Sequence, residues 1–192
     1  MASNADTFAE GIFRYCEMDS PIGKLVLVGR GDGLCHIEFG SYADRSEALH
    51  AWAGKHGAGG AEWRHAGDDA LLMRTAEQLE AYFRGTREVF DVPLNLLGTP
   101  FQRSVWEELL RIPHGEVRSY KQVAVGIGKP QAMRAVGGAN NRNPVPIIVP
   151  CHRVIGADGS MVGYGGGMGI KTFLLEHERQ RLPIAAPAVD VL

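Results

Sequence analysis

The chain has 192 residues, 45% of them hydrophobic and 22% charged, with a formal net charge of −2. That balance is the one found in ordinary globular proteins, so it argues against disorder of the bulk and allows one or two domains with real cores. No apolar stretch approaches the roughly 20 residues of a membrane span. Met1 to Asp6 lack the basic region and apolar run of a signal peptide, which makes the cytoplasm the expected compartment.

In chain order, Gly11 to Met18 and Gly23 to Gly29 read as strands across a Ser20-Pro21-Ile22-Gly23 turn, and Gly31-Asp32-Gly33 leads to a third strand, Leu34 to Phe39. Such hairpin signals predict a small antiparallel sheet. Ser41 to Ala53 reads as a helix, Gly54 to Gly67 as a glycine-rich loop, and Asp68 to Arg84 as a helix with Leu72, Ala76, Leu79 and Phe83 on one face, stopped by Gly85. An extended piece, Glu88 to Leu94, precedes Gly98, where the chain is divided into a first domain (1–98, with 1–10 disordered) and a second (99–182); 183–192 reads as a frayed tail.

The second part carries clearer punctuation. Thr99-Pro100-Phe101-Gln102 has the spacing of a capping box with proline at the first helical position, and Phe101, Val105, Leu109 and Ile112 follow as an apolar stripe ending at Pro113. Ser119-Tyr120-Lys121-Gln122 repeats the box and opens a short helix through Ile127. After a Gly128-Lys129-Pro130 turn, Gln131 to Ala139 reads as a second short helix with a nearly bare surface around Arg134. Two such helices fit a helix-turn-helix, though close helix packing explains the small residues equally well. Arg134 and the nearby Asn140-Asn141-Arg142-Asn143 favour the nucleic-acid reading, because all can meet phosphates or base edges. Charge agrees: residues 1–98 carry nine Lys/Arg against fifteen Asp/Glu, a balance of −6, and residues 99–182 carry eleven against six, a balance of +5.

Asn143-Pro144-Val145-Pro146-Ile147-Ile148-Val149-Pro150 then delivers Cys151-His152-Arg153 on a stiff backbone expected to be extended, so that the two side chains would point to opposite faces. A thiol attacks as its thiolate, and an adjacent imidazole and a cation such as Arg153 can make that form available. The loop from Ala157 to Gly169 is too rich in glycine for regular structure, and Ile170 to Gln180 reads as the last helix, with Glu176 and Glu178 more in keeping with surface charges than with chemistry. Cys16, Cys35 and Cys151 form no paired ligand spacing, alone or with His36, His50 or His56, so neither a metal nor a disulfide framework is expected.

Pro150 to Gly156, preceded by Arg134 to Ala139 and Asn143-Pro144 and followed by Tyr164 to Gly167 and Lys171 to Glu178, strongly resembles the O6-alkylguanine-DNA alkyltransferases. The resemblance is collinear from about Thr99 to Leu182. It implies an α/β protein of α+β type: an N-terminal ribonuclease-H-like domain without catalytic residues of its own, and a mostly helical, winged helix-turn-helix-like alkyltransferase domain. Its implied activity is the single, irreversible transfer of an alkyl group from O6-alkylguanine, and to some extent O4-alkylthymine, in double-stranded DNA to Cys151. The base would be flipped out of the minor groove while Arg134 takes its place in the stack.

By the same resemblance His152 generates the thiolate through a water, Glu178 orients the imidazole, Tyr120 protonates the departing guanine, and Asn143 braces the turn. Gln131, Arg134, Ala135, Gly137, Ala139, Ser119 and Lys121 would meet DNA, and Val149, Met161, Tyr164 and Gly165 would line the alkylguanine pocket. No cofactor and no membrane partner are implied; a monomer is expected, with cooperativity on DNA left open. Two other readings stand beside this one: a DNA-binding protein that uses Cys151 as a redox or alkylation sensor, and a cysteine hydrolase. The first has no need of Tyr120, Asn143 and Glu178, and the second has no need of a DNA-binding helix.

Overall fold

A computed structural model describes residues 11–180; the disorder expected for 1–10 and the frayed tail of 183–192 lie outside them. β1 (Ile12–Met18), β2 (Leu25–Arg30) and β3 (Gly33–Phe39) form the expected antiparallel meander, with a bulge between Val28 and Gly29. α1 (Tyr42–Lys55) follows, and then β4 (Glu62–His65) lies inside the stretch read as a loop. β4 pairs with β1 in parallel, so the sheet, ordered β3-β2-β1-β4, is mixed rather than antiparallel. A four-residue strand flanked by glycines carries no alternation strong enough to show itself, and a parallel partner needs a crossover that no hairpin signal announces.

β2 is buried on both faces. Leu25 and Leu27 point to one core with Leu72, Leu79 and Tyr82 of α2 (Ala70–Arg84), while Val26 and Val28 point to a second core with Leu49 and Ala53 of α1. The period-2 alternation of a strand thus divides one run of aliphatic residues between two layers. α2 starts at Asp69, whose carboxylate accepts the amides of Leu71 and Leu72 and also pairs with the buried Arg14 of β1 at 2.5 Å. It ends at Gly85 with φ 66°, the left-handed conformation that glycine adopts without penalty.

The segment read as extended before Gly98 runs along β3 as single bonds instead of a strand: Leu34 donates to Pro93 and accepts from Asn95. Farther along the same edge the Ile37 amide donates to the Pro144 carbonyl at 2.8 Å. The outer edge of the sheet therefore holds the segment that leads to Cys151.

Beyond residue 98 come α3 (Pro100–Leu109), the two-residue β5 (Arg118–Ser119), α4 (Tyr120–Gly126) and α5 (Met133–Asn141), then β6 (Val154–Ile155) and α6 (Met168–Arg179). Both capping boxes close, Thr99 with Gln102 and Ser119 with Gln122. α3 is one turn shorter than its apolar stripe, with Ile112 still buried. Val105, Trp106 and Leu109 of α3 pack with Val123 and Ala124 of α4 and Val136 and Ala139 of α5, in the same continuous core as Leu25 and Leu79. The fold is thus mixed α/β, a small sheet with two covering helices followed by a mostly helical part.

Candidate functional site

Cys151 sits on a turn built almost wholly from local bonding. Pro150, with φ −82° and ψ 62°, makes an inverse γ-turn in which the Cys151 amide donates to the Val149 carbonyl at 2.8 Å. Cys151–Arg153 then form one turn of 3-10 helix and not the extended run expected from the prolines. Proline restricts φ alone; ψ at Pro150 closes the turn. With about three residues per turn, successive side chains fan out at roughly 120°, so Cys151 and His152 leave the backbone in different but not opposite directions.

Asn143 fastens this turn from the preceding loop. Its amide donates to the Val149 carbonyl at 2.7 Å and to Cys151 Sγ at 3.0 Å, while its oxygen accepts the Val145 amide at 3.0 Å. Between these anchors Ile147 holds φ 76°, a left-handed conformation that a β-branched residue rarely adopts. Asn140, read as a group for phosphates or base edges, faces inward instead: it is buried and donates to the Cys151 carbonyl at 3.3 Å. The α5 helix turns Asn140 to the core, whereas Asn141 and Arg142 are exposed.

Burial raises the Cys151 thiol to about 11. The Asn143 amide, the positive charge of Lys171, the turn's own amide and the Tyr164 hydroxyl oppose that rise. Arg153, expected to assist, is engaged elsewhere: Nε and Nη2 donate to Glu178 at 2.8 and 3.0 Å, and Nη1 to the Ile112 carbonyl at 2.6 Å. The cation acting on the sulfur is Lys171 of α6, which is fully buried and donates to the carbonyls of Val154 at 2.7 Å and Val162 at 3.0 Å. It ties the glycine-rich loop to β6.

Behind the thiol, His152 is wholly buried and its Nε2–H donates to Glu178 Oε1 at 2.8 Å. Burial lowers the imidazole pKa despite that carboxylate, which favours the neutral ring, and Nδ1 is then the nitrogen with a free lone pair; it is buried without a hydrogen-bond partner. Glu178, a surface charge by helix pattern alone but the group expected from the resemblance to orient the imidazole, is 1% exposed. Burial alone would push its carboxyl up, but hydrogen bonds from His152 and Arg153 and the Arg153 charge hold it well below the usual carboxylate range. Two further donors reach it, Tyr82 Oη at 2.8 Å and the Gly115 amide at 3.1 Å.

The expected pocket residues separate. A cleft of about 360 Å³ is lined by Cys151, Asn143, Tyr164 and Gly165 on one side and by His36 and Phe39 of β3 on the other. Tyr164 is buried beside the sulfur, and burial followed by the nearby thiol charge raises its phenol pKa. Val149 is fully buried and offers only its carbonyl. Met161 is exposed and lies against Thr172, away from the cleft, because Lys171 draws in the carbonyl of the next residue, Val162, and leaves Met161 outside.

A second groove of about 430 Å³ runs between Tyr120, Arg134, Met133 and Gly137 on one wall and Val162 and Gly163 on the other. Tyr120 is half-buried, and its phenol pKa is raised by burial and then by the Cys151 charge, so it stays protonated and able to donate. Arg134 and Ala135 are exposed on α5, Gly137 half so, but Ala139 is buried in the core with its carbonyl held by Trp106 Nε1 at 2.9 Å. The bare face expected from Ala135 to Ala139 is therefore narrower, since the helical period returns Val136, Ala139 and Asn140 to α3. Gln131 and Lys121 are exposed, and Ser119 uses its hydroxyl to cap α4.

Sequence reasoning missed the roles of Lys171, Tyr82 and Gly115 and gave Asn140 a different one. Tyr82 and Gly115 are distant in sequence from Cys151, and a lysine or tyrosine on an amphipathic helix has a duller reading. Among the described residues no three His, Cys, Asp or Glu side chains gather as for a metal ion. Cys35 is instead buried with its thiol against the Val28 carbonyl at 3.4 Å.

Two family models match the chain: the ribonuclease-like domain of 6-O-methylguanine DNA methyltransferase over residues 13–96 and its DNA-binding domain over residues 100–180. A methylated-DNA–protein-cysteine methyltransferase of Methanosarcina barkeri is 48% identical over 168 residues, covering 88% of this chain and 98% of that protein. One of Mycobacterium tuberculosis is 46% identical over 172 residues, covering 90% and 96%. The crystal structure of the M. tuberculosis O6-methylguanine methyltransferase superposes with a TM-score of 0.74 at 43% identity, covering 90% of this chain and 96% of that one. That of M. tuberculosis OGT in complex with DNA gives 0.73 at 44% identity, covering the same shares.

Proposed function

The chain belongs to the 6-O-methylguanine DNA methyltransferase family, and on that premise we propose that it repairs O6-alkylguanine in double-stranded DNA by moving the alkyl group onto Cys151. Methylated-DNA–protein-cysteine methyltransferase activity is the activity of the family; the assignment of residues to steps is our reading. The observation that carries it is the bonding around one sulfur: Asn143 donates to Cys151 Sγ at 3.0 Å, and the residue after it holds a buried imidazole aligned by Glu178 at 2.8 Å.

Glu178 fixes the Nε2–H tautomer of His152, which leaves Nδ1 to take the thiol proton through an intervening water. Asn143 and Lys171 stabilise the thiolate as it forms. The sulfur attacks the alkyl carbon, an S–C bond forms as the C–O6 bond breaks, and the electron pair goes to the guanine. Tyr120 delivers a proton to the guanine ring, its raised pKa keeping that proton in place until charge develops. A thioether has no route back to thiol here, so each chain reacts once.

The lesion reaches the sulfur by leaving the stack. The exposed face of α5 enters the minor groove, about 6 Å wide, with Arg134 filling the vacated position and small Ala135 and Gly137 permitting close approach. Gln131, Lys121 and the segment around Ser119 meet the phosphates. Gly165 offers only backbone to the guanine oxygen, so stabilisation of the leaving group rests on amides. O4-alkylthymine is a second substrate, the chain acts as a monomer, and its compartment is the cytoplasm. No helix among the described residues is long and apolar enough to cross a membrane.

The test is intact-protein mass spectrometry after mixing with a duplex carrying one O6-methylguanine, with Cys151→Ser alongside. The expected result is one added methyl group per lesion removed, mapped to the Cys151 peptide and missing in the variant. Tight lesion binding without an adduct would favour the sensor reading.

A further inference from the structure

The family model for residues 13–96 covers a part of the chain expected to hold no reactive group, yet one side chain from it reaches the site. Tyr82, on α2, is fully buried, and its hydroxyl donates to Glu178 Oε1 at 2.8 Å, the same oxygen that accepts His152 Nε2–H at 2.8 Å and Arg153 Nη2 at 3.0 Å. The phenol is not free to choose another partner. Its ring lies edge-on to Phe83 and His177, with centroids 5.3 and 5.1 Å away, and its carbonyl accepts His177 Nε2–H at 2.8 Å, so backbone and ring are both pinned to α6.

We propose that Tyr82 is a positioning residue for the Cys151, His152 and Glu178 array, its hydroxyl holding the Glu178 carboxylate where it keeps His152 in the Nε2–H tautomer. The inference rests on the reading that His152 takes the thiol proton.

The physical ground is competition at one oxygen. A carboxylate oxygen shared among three donors gives each less of its charge than if it served two. Removing the phenol proton makes Oε1 more basic, so it favours the imidazolium form of His152 and lowers the fraction of neutral base. The other groups around the array stay in place: Arg153 of the thiol turn and the Gly115 amide bond Glu178, His114 of the loop before β5 feels its charge, Lys171 of α6 acts on His152, and His177 holds the Tyr82 carbonyl. The sign is therefore fixed. Without Tyr82 Oη the His152 ring binds its proton more tightly, and the rate should fall away at a higher pH on the acid side. A tyrosine present only for packing predicts no such shift, since phenylalanine fills nearly the same volume.

The experiment compares wild type and Tyr82→Phe in single-turnover methyl transfer from a duplex carrying O6-methylguanine, followed across pH, with affinity for the same duplex measured in parallel. Expected are an acid limb moved up by about one pH unit, so that transfer slows by up to about tenfold on that limb and only about two- to threefold near neutral pH, with affinity unchanged. In a Glu178→Gln background the Tyr82→Phe change should slow transfer no further, because a residue acting through Glu178 has nothing left to act on. An unaltered rate and acid limb, or equal slowing with and without Glu178, would overturn the proposal. A wild-type chain that takes up no methyl group would instead overturn the reading on which it rests.

Discussion

Cys35 and Cys151 are both buried thiols, and the two surroundings could hardly differ more in purpose. Cys35 lies in the apolar layer under α1 with its thiol donating to the Val28 carbonyl, and burial pushes it up to about 12. Cys151 is buried as well and raised to about 11, but an amide donor points at its sulfur and a buried ammonium lies near. Burial by itself makes a thiol inert; donors aimed at the sulfur, put in place before reaction, make it usable. The contrast extends to the two parts of the chain. The layer under α1 is built from Phe13, Val26, Val28 and Leu49, while the site buries Arg153, Lys171 and Glu178 with partners for their charges and His152 with Nε2 bonded and Nδ1 left open.

That comparison breaks most sharply at Asn143. Asn143→Ala removes the donor to Cys151 Sγ and one of the two donors to the Val149 carbonyl, and transfer should slow by about a hundredfold; the pH dependence of Cys151 alkylation by iodoacetamide should move upward with it. If reactivity stays unchanged, preorganised donors are not what separates the two thiols. Next comes Arg134→Ala, which should slow repair of O6-methylguanine about tenfold while weakening binding to undamaged duplex only about twofold. Equal losses in rate and affinity would mean that Arg134 serves as a phosphate contact. Lys55→Ala, in the acidic first part, should leave duplex binding within error, as measured by fluorescence anisotropy.

A further substitution, Lys171→Met, takes a donor from the carbonyls of Val154 and Val162 and should cost about 2 kcal/mol in urea unfolding, with a several-fold slower transfer. The smallest effect is in pH. Because Cys16 and Cys151 are raised to about 11 and Cys35 to about 12 from an ordinary 9.0, the folded chain keeps protons that the unfolded chain releases. Their contribution to stability is complete below about pH 9 and is lost as pH rises through about 11 to 12. Thermal unfolding should show that decline, and Cys35→Ala should remove part of it.

How far the sequence discloses such a molecule depends on how local the cause is. Thr99 with Gln102, Ser119 with Gln122, and Gly85 at the end of α2 each act within one turn of helix, and each is legible. β4 is not, because its reason for being a strand is the edge of β1, some fifty residues away. The run Pro150-Cys151-His152-Arg153 reveals the family but misleads on its own geometry, since the prolines announce stiffness and not the ψ that closes the turn. Lys171 and Tyr82 were least legible. A lysine on an amphipathic helix usually snorkels to solvent, and nothing along α2 shows that one phenol will meet a carboxylate 96 positions later.

Ile147 carries a consequence for anyone altering this chain. Its left-handed backbone costs on the order of 1–3 kcal/mol, and glycine would relieve that outright. Yet Ile147 is completely buried, and deleting a buried aliphatic side chain of that size costs about 2–5 kcal/mol. The cavity outweighs the strain, so Ile147→Gly alone is a step downhill in fitness. A thermostability library would reach glycine there only by a double step, in which a neighbour such as Val145 or Val149 first grows to occupy the volume. The residue is thus a strained choice from which the most obvious single exit, glycine, leads downhill.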